Sequence, residues 1–452
     1  MLVNLLARLE GTVERISLAC PEAELVGRIS PLSPSITTLK ETLLSGAGQI
    51  DGVPLVDGDP LDTDILLSVG PGGLPSSGWR VFGEGFAGAI SPSGITGRGT
   101  GSLPIGPYVA ACLAAAEIFR FARLPKAGYH PTDSLSFSLL DYRLGDGGLD
   151  DPLVIPDRLA LDFGLAGVGA VGCALLQTLW ACPGLGGRAV IADSDEKGID
   201  STNLNRCAIF DRRHVGLPKA TTAAGLLKDC DLQWEPVDGL YAPESIPRVP
   251  PTLLSAVDTN RSRISLQEGF WPGRLFGAST LDLRAEITRL GPPGGGPCLG
   301  CFNPAEPVIP DDVRRDALLR GGEEEMVAVA ARIGCSVEEV RSWAEKGECG
   351  QIGAAALSYL QRSDEPEANF SVGFVSVFAG VALAAELLKE TAGCPVPLND
   401  EFGQAKFQFL NPSAEGNGDP LPVKRDPGCV HCDEDAIGRE IWRQRAASWT
   451  SP

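Results

Sequence analysis

The residues best suited to chemistry in this sequence lie between Gly167 and Asp258. Gly167, Gly169 and Gly172 form the G-x-G-x-x-G arrangement of "GVGAVG", directly after the apolar run "LALDFGLAG". Between a strand and a helix, such glycines let the backbone approach phosphates, whose charge the helix N-terminus stabilises. Alone, the motif is weak. Asp193 closes the next apolar run, where a carboxylate can accept hydrogen bonds from a ribose. So far a dinucleotide oxidoreductase satisfies the pattern. The following stretch, "DSDEKGIDSTNLNRCAIFDRRHVGLPKA", does not suit hydride transfer, because it gathers Asp193, Asp195, Asn203, Arg206 and Lys219; Asp258 then closes the run "TLLSAVD". Carboxylates, an amide and cations in this mixture suit a triphosphate with a metal ion. The cations neutralise charge developing at the α-phosphate, and the carboxylates hold ribose and Mg²⁺.

A second constellation is built of sulfur. Cys298 and Cys301 in "GPCLGCF", with Cys429 and Cys432 in "PGCVHCD", make two C-x-x-C units, the spacing that turns both thiolates of a pair toward one tetrahedral Zn²⁺. His431 lies between two of them and reads as a bystander, with a Cys₃His set as the alternative. The chain holds 13 cysteines, an odd number scattered over its length, which fits reduced thiols better than a disulfide framework.

These side chains need a frame. From Leu159 the sequence alternates apolar strand-like runs with helical ones, "AVGCALLQTLW" and "PKATTAAGLLKD" among them, which predicts parallel crossover units and a doubly wound, mainly parallel α/β sheet. Ligands of such a sheet bind outside the carboxyl ends of its strands. Residues 303–365 are charged and helix-prone, too polar for the central sheet, and read as an inserted helical segment in a domain spanning 151–452. Upstream, residues 1–150 carry weak punctuation: an opening helix, the apolar stretch "TDILLSVGPGG", and a buried helix at "PYVAACLAAAEIFRFAR". Laid without gaps, "AACLAAAEIFR" (Ala110–Arg120) matches "AGVALAAELLK" (Ala379–Lys389), which points to an internal duplication.

Taken together, the Gly turn, Asp-x-Asp, "STNLNR", "VGLPKA" and Asp258 followed by Arg263 resemble the adenylyltransferase superfamily of ubiquitin-activating enzymes and of the bacterial thiamine- and molybdopterin-synthesis adenylyltransferases. The resemblance implies a Rossmann-like adenylation domain using ATP and Mg²⁺. Asp193 would bind the ribose, Asn203 and Arg206 the phosphates, Lys219 the α-phosphate and the attacking carboxylate, and Asp258 the Mg²⁺. It also implies a structural Zn²⁺ at the two Cys pairs. One departure is Cys207, where the family usually has Gln. A thioester step would need a cysteine in the insertion. Cys349, between charged "KGE" and "GQIG", matches the expected place before the late helix better than Cys335 in "RIGCSVEEV". The region 1–150 lacks every active-site word, so the echo makes it a degenerate, inactive adenylation-like domain, of the kind that can lend an arginine to the active half. Nothing in the sequence singles that arginine out.

The implied partners are a ubiquitin-like protein ending in Gly and a separate conjugating enzyme, as in bacterial antiphage ubiquitination-like operons; a homodimer is a further expectation. The alternatives are a sulfur-carrier adenylyltransferase that stops at the adenylate, and a non-catalytic scaffold. A net charge of -20 argues against a nucleic-acid partner. No unbroken apolar run suggests a membrane span, which makes the cytoplasm the expected location.

Overall fold

A computed structural model describes the chain except for residues 26–27, 29, 34–35, 49, 51, 59–62, 71–77, 96, 98, 100, 125–128, 148, 150–154, 291–296, 304–310, 334–335, 347–371, 395–396, 400, 434–435 and 450–452. It divides into a main body, residues 1–302 with 370–452, and a second body, residues 303–369.

The N-terminal region begins with α1 (Leu2–Ala7), β1 (Ile16–Leu18), α2 (Leu39–Gly48) and β2 (Leu55–Asp57), with β1 and β2 paired in parallel. β3 (Leu67–Val69), β4 (Trp79–Glu84), β5 (Ala87–Ser91), β6 (Leu135–Ser138) and β7 (Arg143–Gly145) form a five-stranded sheet in chain order, and α3 (Ile105–Arg123) enters between β5 and β6. By length and mean apolarity α3 could cross a membrane, although Glu117, Arg120 and Arg123 interrupt it, so it is not an unbroken apolar run. Its residues are instead mostly buried in protein, which is why it can be apolar on nearly every face.

The large sheet follows: β8 (Leu159–Ala166), α4 (Ala170–Ala181), β9 (Leu185–Asp193), α5 (Lys219–Leu226), β10 (Leu232–Asp238), β11 (Thr252–Ser255), α6 (Asn260–Phe270), β12 (Arg274–Leu281) and β13 (Arg284–Leu290). After α7 (Leu299–Phe302) and the second body come α10 (Gly373–Thr391), β14 (Gln404–Gln408), β15 (Pro420–Leu421) and α11 (Ile437–Trp449). The strand order is β10-β9-β8-β11-β12-β13-β14-β15. The first five strands run parallel and the last three pair antiparallel. This is the doubly wound, mainly parallel sheet expected from the alternation. The order reverses between β8 and β11, and ligand crevices form at such a reversal.

Two features join the halves of the main body. The run β3∥β4, then antiparallel β5, β6 and β7 with α3 inserted before β6, repeats the run β11∥β12, then antiparallel β13, β14 and β15 with α10 inserted before β14. The two echo helices thus occupy the same slot of the same topology. Each also carries a buried ion pair at matching positions: Glu117 with Arg120 at 2.6 Å, and Glu386 with Lys389 at 2.5 Å. Around them one hydrophobic core runs through both halves, with the ring of Phe137 of β6 tilted against that of Phe407 of β14 at 4.6 Å and Phe378 of α10 beside both.

The second body is helical. In it α8 (Asp311–Ile333) and α9 (Val337–Lys346) close a small core around Met326, Val329, Val340 and Trp343. Ser336 caps α9: its hydroxyl accepts from the Glu339 N–H while the Glu339 carboxylate accepts from the Ser336 N–H.

Candidate active site

The turn from β8 into α4 needs glycine for three separate reasons. Gly167 has φ +95°, and an added Cβ would lie 2.7 Å from the Ala256 carbonyl oxygen. A Cβ on Gly172 would lie 2.1 Å from the Gly167 carbonyl oxygen, so the first turn of α4 packs on the loop itself. Gly169 differs: its Cβ would meet nothing within 4 Å. Only that position faces open space into which a phosphate could fit. Asp193, at the end of β9, anchors the turn, its carboxylate accepting from the Val168 N–H at 2.7 Å and the Asp195 N–H at 3.0 Å.

β11 delivers the second side of the site. The Ala256 N–H donates to the Ala166 carbonyl at 2.9 Å, which lays residues 256–258 along the Gly turn and leaves Asp258 exposed at the strand end. Thr259 caps α6 by accepting from the Ser262 N–H at 3.1 Å. Arg263 folds back, donating to Asn260 Oδ1 at 2.7 Å and to the Val257 carbonyl at 3.2 Å.

Lys219 enters as the first residue of α5, 8% exposed, with its Nζ 2.6 Å from Asp195 Oδ2. Burial opposes its charge, yet the bond to Asp195 and the nearby Asp193 hold its pKa above the ordinary value. Asp195 moves the other way: partial burial opposes its charge, but Lys219 and the Lys197 N–H keep its carboxyl below the usual range. The "STNLNR" loop is shaped by Asp200 and Asn203, which form a capping box: Asn203 Oδ1 accepts from the Asp200 N–H at 3.0 Å. Arg206 is half-buried on the same loop. Cys207 is fully buried behind the loop, near the Cys173 thiol, which donates to the Val168 carbonyl at 3.4 Å. The Cys173 thiol first, and then the positive charges of Arg8, Arg206 and Lys219, hold the Cys207 thiol below the ordinary range despite burial.

One contributor was invisible in the sequence. Arg8, just after α1, is 5% exposed and donates to the carbonyls of Leu204, Ala208 and Phe210. Asn4 adds a bond to the Ala208 carbonyl at 3.1 Å and accepts from Arg8 Nε. The N-terminal helix therefore clamps the loop that carries Asn203 and Arg206. Burial pulls the Arg8 pKa down to about 10, so it stays charged at neutral pH. Carbonyl acceptors two hundred residues away leave no residue-type signal.

The four cysteines converge. Cys298 Sγ lies 3.6 Å from Cys429 Sγ and 3.9 Å from Cys301 Sγ, Cys301 Sγ lies 3.5 Å from Cys432 Sγ, and all four fall within 4.8 Å of one another. A tetrahedral Zn²⁺ with bonds of about 2.3 Å sets its sulfurs roughly 3.8 Å apart, whereas a disulfide needs about 2.05 Å. The set fits zinc. His431 instead pairs with Glu268 at 2.5 Å, outside this cluster.

The ThiF family profile matches residues 159–429, from the first residue of β8 to the third cysteine of this cluster. The chain belongs to the ThiF family. Membership supports ATP-dependent adenylyltransferase activity in general, of the E1-like kind. A curated relative, the uncharacterized protein y4jF of Sinorhizobium fredii, is 28% identical over 389 residues, covering 78% of this chain and 72% of its own. Among solved structures, E. coli MccB with MccA-N7isoASN aligns at a TM-score of 0.38 and 15% identity, covering 61% of this ThiF-family chain and 68% of MccB. E. coli MccB with ATP aligns at 0.38 and 14%, covering 61% and 66%.

Of the residues expected from sequence, the structure gathers Gly167, Gly169, Gly172, Asp193, Asp195, Lys219 and Asp258 at the carboxyl ends of β8, β9 and β11, with the Asn203–Arg206 loop held by α1. Cys335 and Cys349 lie outside the described residues.

Proposed function

We propose that this chain adenylates the C-terminal carboxylate of a ubiquitin-like protein and then passes the acyl group to its own Cys349. The observation that carries the first step is the Lys219–Asp195 pair standing beside the open Gly169 turn, with the exposed carboxylate of Asp258 at the neighbouring strand end. A cation at the α-phosphate and hard oxygen donors for Mg²⁺ are what adenylation demands of the protein. In the reaction a carboxylate oxygen attacks the α-phosphorus, a C(O)–O–P anhydride forms, the bond to the β-phosphate breaks, and pyrophosphate leaves. Lys219 and Arg206 would offset charge on the phosphoryl oxygens, Asp193 would orient the ribose, and Asp258 would hold Mg²⁺, which would neutralise the leaving pyrophosphate.

In the second step the Cys349 thiolate attacks the acyl carbon, the C–O bond of the anhydride breaks, and AMP leaves. The helical body of residues 303–369, with its own small core, supports the reading of an inserted acceptor segment. The matched topology of the two halves supports a degenerate adenylation-like origin for residues 1–150. Release to a conjugating enzyme, cytoplasmic location, a role in antiphage defence and a homodimeric assembly complete the proposal. The test is ATP–pyrophosphate exchange with a ubiquitin-like protein ending in Gly, followed by non-reducing electrophoresis. Exchange plus a thiol-sensitive adduct that disappears in Cys349→Ala is expected. An adduct that survives there but not in Cys335→Ala moves the nucleophile. Exchange without any adduct, unchanged in Cys349→Ala, makes the chain an adenylate-only sulfur-carrier enzyme.

A further inference from the structure

Helix α6 has one end at the nucleotide site and the other at the four cysteines. Its N-terminal end follows Asp258 and carries Asn260 and Arg263, which folds back onto the β11 strand end. Its C-terminal end is tied to both Cys knuckles. Gln267, with no exposed surface, accepts from the Leu299 N–H at 2.7 Å, between Cys298 and Cys301. The other half of its amide, Nε2, is buried with no hydrogen-bond partner, on a side chain whose presence favours the Cys298 thiolate. Glu268 holds His431 of the second knuckle at 2.5 Å. Trp271, in a left-handed conformation at the helix end, packs on Trp442 of α11, whose Nε1 donates to the Pro272 carbonyl at 2.7 Å. Small residues permit this closure: a Cβ on Gly300 would lie 2.4 Å from the His431 ring, and one on Gly438 2.0 Å from Trp271.

A buried amide N–H with no conventional acceptor is costly. Directed at a metal-bound thiolate it would be satisfied, and such contacts beyond the ligands themselves fix ligand orientation. We propose that Gln267 is a positioning residue that binds α6 to the zinc-loaded cysteines, so that zinc occupancy sets where α6 holds Asp258 and Arg263 and thereby the affinity for Mg·ATP. A packed helix is stiff enough to carry such a link. The nucleotide end of the link rests on the function proposed above.

The test uses the full chain with Gln267→Leu, Gln267→Glu and Glu268→Gln. Zinc release to a colorimetric chelator and equilibrium binding of Mg·ATP are measured at graded free zinc. Gln267→Glu, which sets a carboxylate against the thiolates, is expected to speed zinc release by about 10–100-fold, and Gln267→Leu by less. Mg·ATP affinity should fall in both and recover as zinc is raised, a rescue that misfolding would not show. Glu268 is half exposed, so Glu268→Gln probes the same link without disturbing the core. Unchanged zinc release in all three variants overturns the role of Gln267. Faster release with Mg·ATP affinity indifferent to zinc overturns the coupling. A wild-type chain that holds zinc yet binds no Mg·ATP overturns the proposed function and removes the output of the coupling with it, while the zinc measurements still decide what Gln267 does.

Discussion

Lys219 and Asp195 shift in opposite directions, and the signs fix how the site responds to pH. The Lys219 pKa is raised above 10.5, so its share of the pair is complete below that value and is lost only as pH rises through the raised one. The Asp195 pKa is lowered below 3.8, so its share is complete above that value and fades as pH falls through the lowered one. Between those limits the pair stays intact. ATP–pyrophosphate exchange should therefore show no alkaline limb from Lys219 below pH 10.5, and Lys219→Ala should cut exchange by about 10²–10³-fold across the same window. A limb near pH 8 that vanishes in the variant would contradict this assignment. The glycines make a second prediction at this scale, because they separate fold from ligand. Gly172→Ala drives a Cβ into the Gly167 carbonyl and should destabilise the chain by roughly 1–3 kcal/mol. Gly169→Ala meets nothing and should cost under about 1 kcal/mol while raising KM for ATP; denaturation midpoints and exchange titrations read the two separately. All three glycines were legible in the sequence, since spacing alone placed them. Their division of labour was not, because it depends on what backbone lies opposite each one.

The helix echo was legible as composition, yet its meaning lay in partners that only folding supplies. Glu386 and Lys389 of α10 have no exposed surface. Lys389 Nζ also donates to the Leu139 carbonyl at 2.6 Å, and the Tyr142 hydroxyl donates to Glu386 at 2.8 Å. In α3 the matching Glu117 accepts from Tyr129 and Thr132 while Arg120 donates to the His130 carbonyl. Each echo helix thus uses a buried acid and base to grip the loop beside the next strand of its own or the opposite half. Removing one member of a buried pair leaves the other uncompensated, so Glu386→Leu should cost about 3–5 kcal/mol, and Glu386→Leu with Lys389→Met much less. Urea melts of the single and double variants check the rank order; equal losses would mean that packing and not charge governs the site. The strands around these helices escaped the sequence reading for a plain reason. β3 and β7 are three residues long, too short for an alternating pattern to declare itself.

The ThiF match begins at residue 159, but the hydrophobic core does not respect that boundary. α10 lies against α4 on one side, where a Cβ on Gly380 would come 2.4 Å from the Val171 carbonyl oxygen. On another side it meets the N-terminal half, through Phe119 against Phe374 and Phe137 against Phe378. A chain of residues 151–452 would expose those aromatic faces, each large enough to lose about 3–5 kcal/mol of burial on truncation. It would also lose Arg8, leaving the carbonyls of Leu204, Ala208 and Phe210 without that donor. The fragment should therefore fail to show a single cooperative unfolding transition and should aggregate, whereas the main body of the full chain should unfold as one unit. Arg8→Ala in the full chain isolates the clamp from the core. It should keep the cooperative transition, lower stability by roughly 2–4 kcal/mol and weaken nucleotide binding, because the Asn203–Arg206 loop loses its hold. Calorimetry and Mg·ATP titration read both. If residues 151–452 fold as a monomer with undiminished exchange, the N-terminal half is an attached domain and not half of the machine; the shared core and the Arg8 clamp argue for the second.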